Sequence, residues 1–408
     1  MRTILNPLIR RLLAGILLST TCGYGAQART PDVAPFAAWL EDLRREAAET
    51  GVSGTTLDSA LAGLEPIPRV IELDRRQPEF TQTFWNYLDT RVTEQRIKRG
   101  RSLLEEHRVL LASVEREYGI PPRYLVAFWG LETNFGSYLG DFPVVGSLAT
   151  LAYDERRSEF FRTQLLDALH IIDEGSVQTA DMKGSWAGAM GHMQFMPATF
   201  RLYAVDAGGD GRRDLWNSLQ DALASGANYL ARLGWRPEER WGREVRLPED
   251  FPWEQADIAI RKPIAEWAEL GVKRADGSAL PSADMEGAIV LPQGHRGPAF
   301  LVYHNFEVIL YWNRSINYAI AVGHLADRFA GSGEIANGRD VDNEPMTRDQ
   351  SLALQRRLNE LGFDAGEPDG IPGSRTKAAI RAFQRAAGLP QDGHPSAALL
   401  EQLAQFEG

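Results

Sequence analysis

The helical periodicity between residue 32 and about residue 233 constrains the fold more than any other feature. Apolar side chains recur at steps of three and four residues in FAAWLEDLRREAAE (36–49) and in RIKRGRSLLEEHRVLLASVEREYG (96–119), which is the spacing of one buried helix face. The second segment ends at a glycine, a residue that often closes helices. We therefore predict a mainly α-helical protein.

The pattern of the sequence changes between about residues 240 and 303. The short runs REVRLP, GAIVLP and AFLVYH are rich in β-branched and aromatic residues, and proline and glycine separate them. The helical pattern then returns in NFEVILYWNRSINYAIAVGHLADRF (305–329). The sequence therefore predicts a small antiparallel β region inserted into a helical domain.

The first 28 residues have the pattern of an export signal. Arginines precede a short apolar run, LLAGILL, and AQA (26–28) supplies small residues before a cleavage point at Arg29. The single cysteine, Cys22, lies in this segment, and the bulky Thr21 before it disfavours a lipoprotein. We expect a periplasmic protein that is exported by a cleaved signal peptide and has no transmembrane segment.

The charge balance argues against two classes of partner. The chain carries 44 basic and 55 acidic residues, a net charge of −11, and some of the arginines lie in the removable leader. An acidic protein of this kind is poorly suited to binding nucleic acid or an anionic membrane surface. We expect a monomer whose main partner is neither nucleic acid nor an anionic membrane.

One carboxylate, Glu132, stands among large apolar residues in WGLETNFGSYLG (129–140). In a helix, Phe128, Trp129 and Phe135 share its side, because residues three and four apart are neighbours. Burying an ionised carboxylate costs several kcal/mol unless it is paired or protonated. A structural ion pair with an arginine and a catalytic acid with a raised pKa are both consistent with this setting.

A second stretch, SWAGAMGHMQFMPATF (185–200), contains two glycines, Gly188 and Gly191, and Gly184 directly precedes it. Glycines allow the backbone to approach another group closely, and Gln194 offers both a donor and acceptors. Pro197 is placed to begin a helix. Alone, the stretch is equally consistent with a packed, methionine-rich loop.

Together, the two stretches resemble the lytic murein transglycosylases, and YAVDAGGDGRRDLW, NYL at Asn228 and NFEVILYWNRS narrow the resemblance to their B family. The resemblance implies a lysozyme-like helical core, a further helical domain and a small β domain. It also implies cleavage of the β-1,4 bond between N-acetylmuramic acid and N-acetylglucosamine, with Glu132 as the catalytic acid. The expected partners are peptidoglycan glycan strands and stem peptides.

The mechanism implied by the resemblance uses one carboxyl group in two roles. No second acid occurs in the matching motifs, and Asp141 and Asp154 stand in turn or cap contexts. The N-acetyl oxygen of the sugar would stabilise the cationic centre, and Glu132 would then deprotonate the C6 hydroxyl, which attacks to form a 1,6-anhydro end. A hydrolytic muramidase would instead need a second carboxylate, and a non-catalytic peptidoglycan-binding scaffold would not need Glu132.

The same alignment implies polar, aromatic and basic contacts to the substrate. Amide and hydroxyl groups would bind the sugar substituents, aromatic rings would pack on pyranose faces, and a double arginine would bind lactyl or peptide carboxylates. The residues are Ser185, Gln194, Phe195, Asn305, Tyr229, Tyr87, Arg156 and Arg157.

The segment DAGGDGRRD (206–214) resembles a calcium loop of the EF-hand type. The expected ligands are the side chains of Asp206, Asp210 and Asp221 and the carbonyl of Arg212. Gly208 replaces one usual side-chain ligand, so we expect weak, structural calcium binding, with a solvated aspartate-rich turn as the alternative. Catalysis itself is expected to need no cofactor.

The tail resembles the type 1 peptidoglycan-binding domain in LQRRL, LGF, DGIPG, AIRAFQ and GLPQDG. Three helices are expected in it. The predicted order is a signal peptide (1–28), a catalytic domain (29–330), a breaker-rich linker (331–346) and a peptidoglycan-binding domain (347–408).

Overall fold

A computed structural model describes residues 33–76, 82–339 and 344–406. The predicted signal peptide lies outside the described residues. Within them the chain forms two compact units, one of residues 33–76 and 137–222 and one of residues 82–136, 223–339 and 344–406. Each unit is considered by itself below. In the described part of the chain, no helix is both long and apolar enough to cross a bilayer.

Helices dominate the described residues, which contain 17 of them. In chain order they are α1 (Val33–Glu49), α2 (Gly54–Leu61), α3 (Pro68–Arg76), α4 (Phe84–Arg91), α5 (Glu94–Glu106), α6 (Arg108–Tyr118), α7 (Pro122–Thr133), α8 (Val144–Tyr153), α9 (Ser158–Asp173), α10 (Pro197–Tyr203), α11 (Leu219–Arg232), α12 (Ile264–Glu269), α13 (His304–Trp312), α14 (Ile316–Phe329), α15 (Arg348–Glu360), α16 (Ser374–Ala386) and α17 (Ala397–Gln405).

The strands are short and few in the described segments. They are β1 (Phe142–Pro143), β2 (Lys183–Gly184), β3 (Gly242–Arg246), β4 (Lys262–Pro263), β5 (Lys273–Arg274), β6 (Glu286–Val290) and β7 (Ala299–Val302). β1 pairs with β2, and the other five form one sheet in the order β4-β6-β7-β3-β5. Every pairing is antiparallel. The predicted fold class, mainly helical with a small inserted antiparallel region, is confirmed.

In the first unit, α8 and α9 pack against each other and form the centre of the core. All nine residues from Val144 to Ala152 are buried, which explains the nearly continuous apolar sequence of α8. The hydroxyl of Thr150 accepts a hydrogen bond from the backbone N–H of Ile67 at 2.9 Å. β2 pairs with β1 directly before α8, and this pairing anchors the start of the glycine-rich loop to the core.

In the second unit, α7 packs against α5 and α14. The helix begins with Pro122 at its first turn, where a missing N–H costs nothing, and residues 124–129 are all buried. A Cβ on Gly100 of α5 would lie 2.2 Å from the ring of Phe329 in α14. Glycine is therefore required where these two helices approach each other.

The sheet covers its own hydrophobic core. Trp267 of α12 is fully buried there with side chains that include Phe251, Ile289 and Leu301. Its indole Nε1 donates to the carbonyl of Gly287 in β6 at 2.9 Å. An indole buried in this way keeps its single polar group satisfied, so α12 is bound to the sheet by both packing and a hydrogen bond.

The C-terminal helices α15, α16 and α17 enclose a separate core built from Leu354, Leu358, Ile380 and Phe383 among others. A capping box begins α15, since Thr347 and Gln350 bond each other's backbone N–H groups. Residues 347–406 are therefore organised around apolar burial of their own.

The predicted linker makes specific contacts in its first half. The Glu244 carboxylate of β3 accepts hydrogen bonds from the backbone N–H groups of Ala336 and Asn337, at 2.9 and 2.8 Å. Trp85 Nε1 donates to the carbonyl of Gly338 at 2.7 Å, and Arg339 pairs with Asp89 of α4. We name residues 336–339 the strap; the domain boundaries themselves stay a prediction.

Candidate active site

Glu132 lies in the last turn of α7, one residue before the helix ends. The cap residue Asn134 and the next residue, Phe135, have positive φ angles of 49° and 61°, which non-glycine residues adopt rarely. A Cβ on Gly130 would lie 2.7 Å from the Phe135 ring. The reversal therefore folds Phe135 back against the helix, and Gly130 leaves the space for it. Such local strain is common at functional sites.

Two donors from another part of the chain converge on Glu132. The indole Nε1 of Trp312 donates to Glu132 Oε1 at 2.9 Å, and the hydroxyl of Tyr318 forms a short hydrogen bond with the same oxygen. The ring of Phe128 lies 4.4 Å from that of Trp312 and 6.3 Å from that of Tyr318, between centroids. Glu132 is half-buried, and its carboxyl group is oriented by polar contacts within an aromatic wall.

The chemical state of Tyr318 makes it a reliable donor. Burial raises the pKa of its phenol well above 10, and the nearby Glu132 carboxylate raises it further. The phenol therefore keeps its proton at neutral pH. An indole N–H can only donate, so both contacts deliver a hydrogen to Oε1.

The turn between α13 and α14 brings these two donors together. Asn313 Oδ1 accepts from the backbone N–H of Ser315 at 3.1 Å, and the Ser315 hydroxyl caps α14 by accepting from the N–H of Tyr318. Trp312 ends one helix and Tyr318 stands in the first turn of the next. Trp312 occurs in NFEVILYWNRS, the stretch that carries the family resemblance, and Tyr318 lies three residues after it, but sequence reasoning missed the roles of both.

Two predicted substrate residues lie in the same unit as Glu132. The Tyr229 ring lies 5.3 Å from that of Trp312, and its hydroxyl donates to the Tyr311 carbonyl at 3.2 Å. Tyr87 of α4 is half-buried and is near enough to Tyr318 to raise its pKa. Both tyrosines therefore belong to the neighbourhood of the Glu132 carboxyl group.

Asn305, a third predicted residue, has a different environment. It is 0% exposed, and its Oδ1 accepts from the N–H of Arg236 at 2.8 Å. Its Nδ2 donates to the carbonyls of Arg236 and Glu239. The side-chain amide therefore holds a backbone turn, and the structure leaves no exposed amide atom for the sugar contact that the sequence predicts.

The glycine-rich loop of the first unit is built as a tight hairpin. Met190 and Phe195 exchange backbone hydrogen bonds of 2.9 and 3.0 Å. A Cβ on Gly191 would lie 2.5 Å from the carbonyl oxygen of Leu215, so a larger residue would not fit. The hydroxyl of Ser185 accepts from the N–H of Ala189 at 3.0 Å, which closes the loop from its other end.

Three predicted residues of this loop differ in accessibility. Ser185 and Gln194 are half-buried, whereas Phe195 is 2% exposed. Gln194 has a φ of 49°, and its Nε2 donates to the carbonyls of Leu139 and Gly191 at 3.1 and 3.0 Å. The Phe195 ring packs inside the unit and has no face available for stacking on a sugar, contrary to the sequence-based expectation.

The double arginine of the first unit is anchored to a buried carboxylate. Arg156 Nη1 lies 3.0 Å from Asp74 Oδ2, and Arg157 forms a short ion pair with Asp74 Oδ1. Both guanidinium groups remain partly exposed, whereas the Asp74 side chain is 4% exposed. Asp154 pairs with Arg75 at 3.1 Å and accepts from the N–H of Arg156, so its carboxylate is a structural group.

The predicted calcium loop is closed by its own backbone. Asp206 accepts hydrogen bonds from the N–H groups of residues 209–211. Asp221 accepts from those of residues 207, 208 and 214, and Asp210 accepts from Arg212. Within residues 33–76, 82–339 and 344–406, no three acidic, histidine or cysteine side chains are placed to share one metal ion. Calcium binding by this loop therefore stays a prediction.

Comparison with known families identifies the larger part of the chain. Residues 35–327 match the family described as "Transglycosylase SLT domain". The chain belongs to this family. Residues 347–403 match a second family, described as "Putative peptidoglycan binding domain".

Individual relatives agree with this assignment. The chain is 30% identical over 245 residues to membrane-bound lytic murein transglycosylase B of Escherichia coli, a match that covers 59% of this chain and 65% of the relative. The chain therefore spans slightly under two thirds of that relative's length.

Solved structures extend the similarity to the C-terminal helices. SltB3 of Pseudomonas aeruginosa, in complex with NAG-anhNAM-pentapeptide, is 47% identical with a TM-score of 0.88, covering 91% of this chain and 99% of SltB3. Slt35 of Escherichia coli, in complex with calcium, is 26% identical with a TM-score of 0.63, covering 71% of this chain and 92% of Slt35.

Proposed function

We propose that this chain is a lytic transglycosylase that cleaves the β-1,4 bond between N-acetylmuramic acid and N-acetylglucosamine in peptidoglycan. The observation that carries the proposal is the Glu132 carboxyl group, which Trp312 and Tyr318 orient from a second pair of helices. Family membership and the peptidoglycan fragment bound to SltB3 support the substrate class.

Glu132 acts twice in the proposed reaction. As a carboxylic acid it donates its proton to the glycosidic oxygen, and the bond between that oxygen and C1 of muramic acid breaks. The N-acetyl oxygen of the same sugar bonds to C1 and stabilises the positive charge. The Glu132 carboxylate then takes the proton of the C6 hydroxyl, whose oxygen displaces the N-acetyl oxygen from C1. Glu132 regains its proton, no water is consumed, and no cofactor takes part.

The two donors fix the geometry that this double role needs. A general acid and base must lie within hydrogen-bond distance of both reacting oxygens in turn. Because Trp312 and Tyr318 both bond Oε1, rotation of the carboxyl group is restricted. Asp154, one of the two candidate second carboxylates of a hydrolase, is engaged with Arg75 and the N–H of Arg156, so this group is held by structural contacts.

The remaining predicted residues divide by accessibility. We assign substrate contacts to Ser185, Gln194, Tyr87, Tyr229 and the exposed parts of Arg156 and Arg157, which stay proposals. Asn305 and Phe195 are buried, so we assign them to positioning: the first holds the turn at residues 236–239, and the second closes the glycine-rich hairpin.

The metal and localisation proposals are separate from the chemistry. We propose that the loop containing Asp206, Asp210 and Asp221 folds through its backbone hydrogen bonds and binds calcium only weakly. Calorimetry and thermal melts that show no response to millimolar calcium would remove the metal from this proposal. We also propose export to the periplasm after signal cleavage before Arg29, which the intact mass of the exported protein tests.

The central test is Glu132→Gln with an analysis of product ends. Glutamine keeps the size of the side chain but has no carboxyl proton to transfer, so turnover of isolated sacculi should be abolished while the fold is retained. Glu115→Gln, at an exposed position of α6, makes the same change and should leave turnover unchanged.

The wild-type products separate the transglycosylase from a muramidase. Mass spectrometry should find muropeptides lighter by one water than hydrolytic products, with no reducible muramic acid and no incorporation of labelled water. Reducible, labelled ends as the main product would identify a hydrolase. Unchanged turnover by Glu132→Gln would remove Glu132 from the mechanism.

A further inference from the structure

A cleft of about 380 Å³ lies between the C-terminal helices and the rest of the second unit. One wall comes from the segment between α16 and α17 and from α17 itself, and the other includes residues 82–84 and 292–296. Its volume is within the range of ligand sites in proteins. We name it the module cleft; Glu132, Trp312 and Tyr318 are not among its lining residues in the described chain.

The module cleft has one wall fixed by a buried carboxylate. Asp392, whose side chain is 4% exposed, accepts from both the N–H and the Nδ1 of His295, at 2.8 and 2.6 Å. It also accepts from Gln384 Nε2 and the N–H of His394. Burial alone would raise the pKa of Asp392, but these hydrogen bonds lower it to about 2. The group stays ionised and bonded at neutral pH.

A second contact and a close backbone approach also hold the C-terminal helices against the β region. Arg381 Nη1 lies 2.7 Å from Asp257 Oδ2, and its Nη2 donates to the carbonyl of Ala256. Gly294 has a φ of 70°, and a Cβ there would lie 2.9 Å from Asp392 Oδ2. The C-terminal helices are therefore docked on the β region, and these contacts hold the walls of the module cleft in place.

The lining of the module cleft favours a peptide over a glycan chain. Sugar-binding surfaces present aromatic rings to pyranose faces, but among the cleft-lining residues of the described chain Phe84 is the one phenyl, phenol or indole group, and it is 1% exposed. The cleft instead offers amide side chains and aliphatic rings, which suit peptide groups and small side chains: Gln82, Asn317, Gln402, Pro292, Pro372 and Pro395.

Arg296 is a cationic side chain that lines the module cleft. It is exposed, and no ion pair joins it to another residue of the described segments. A guanidinium group binds a carboxylate through two parallel N–H donors. Its position beside amide side chains provides both a charge for a carboxylate and donors and acceptors for a peptide backbone.

We propose that the module cleft binds the stem peptide of peptidoglycan, with Arg296 pairing with a peptide carboxylate. The proposal rests on the proposed function, since it takes peptidoglycan as the substrate. Asn317, which lines the cleft, directly precedes Tyr318 in α14. The cleft therefore borders the same helix that orients Glu132, and it recognises a part of the polymer that the reaction does not change.

Binding of a sugar-free stem pentapeptide to the full mature chain tests the proposal. Isothermal titration should detect binding by the wild type, and Arg296→Ala should weaken it about tenfold or more, the loss expected for a charge-assisted hydrogen-bonded pair. Arg296→Lys should retain part of the affinity. Arg356→Ala, which removes an exposed arginine of α15 outside the cleft, should bind as the wild type does.

The outcomes separate this proposal from the proposed function. Equal affinity of Arg296→Ala and the wild type, or no peptide binding by the wild type, overturns the cleft assignment, and so does displacement of the peptide by peptide-free N-acetylglucosamine oligomers. Cleavage of sacculi is measured on the same samples. Cleavage without peptide binding refutes the cleft alone, and peptide binding without anhydro products refutes the enzymatic function alone.

Discussion

Replacing Tyr318 by phenylalanine removes one of the two donors that orient Glu132 and leaves the aromatic wall in place. The ring of residue 318 would still face Phe128, whose centroid lies 6.3 Å away. Trp312 would still donate to Oε1 at 2.9 Å. The variant therefore tests the hydrogen bond separately from the packing around the carboxyl group.

The expected loss follows from the strength of one hydrogen bond to a charged group, about 1.5–3 kcal/mol. If the whole contribution is used to hold the reactive geometry, kcat/KM should fall about 10- to 100-fold, since about 1.4 kcal/mol corresponds to a factor of ten. The fall should appear mainly in kcat, because Tyr318 is buried and the substrate contacts proposed above do not include it.

The assay is the release of 1,6-anhydro products from sacculi, with the melting temperature recorded for each variant. Tyr311→Phe is the matched control, because it removes the hydroxyl of an exposed tyrosine in α13 and should retain wild-type activity. Trp312→Phe removes the second donor to the same oxygen. In the double variant Trp312→Phe/Tyr318→Phe, the effects of the two substitutions on the activation free energy should differ from additivity by about 0.5–3 kcal/mol. Wild-type kcat in folded Tyr318→Phe would refute the positioning role.

Three further predictions concern stability. A chain ending at Arg339 keeps the contacts of the strap and should be about 1–3 kcal/mol more stable than one ending at Ala330 in denaturant melts; equal stability would show that the strap contributes nothing. Burial lowers the pKa of His394 from 6.5 to about 4, so the folded chain binds fewer protons between these values. His394 should therefore contribute a loss of about 3 kcal/mol as the pH falls from 6.5 to 4; His394→Gln should remove this part of the pH dependence of the melting temperature, while the part from His324, whose pKa burial also lowers to about 4, remains. Gly323→Ala would place a Cβ 2.2 Å from an indole ring and should cost about 1–3 kcal/mol, whereas Gly333→Ala, with open space around it, should melt like the wild type.

Local patterns were sufficient to predict the secondary structure and its arrangement in sequence. The three- and four-residue spacing in segments 36–49 and 96–119 corresponds to α1, α5 and α6, and the alternating runs near 243 and 287 correspond to β3 and β6. These patterns are readable because side chains one helical turn apart, or two residues apart in a strand, share one environment. The apolar setting of Glu132 was predictable for the same reason.

Side-chain environments that depend on contacts between residues distant in the sequence could not be predicted from local patterns. Asn305 was expected to bind a sugar, but its amide is used by the backbone 66–69 residues earlier in the chain. Phe195 was expected to face the substrate, but the exchange of hydrogen bonds with Met190 places its ring inside. The same residue type occurs at exposed and at buried positions, and only tertiary packing determines which applies.

The sequence by itself determined that one acid stands in an apolar helix end and that a glycine-rich loop follows about fifty residues later. Only the tertiary structure decided how the acid is held. Trp312 and Tyr318 lie 180 and 186 residues beyond Glu132. Tyr318 reaches it because α14 packs against α7, and the turn between α13 and α14 places Trp312 beside the same carboxyl oxygen. Hydrogen bonds depend on angstrom-level placement of the two partners, and helical periodicity specifies a buried face without specifying which distant donor meets it.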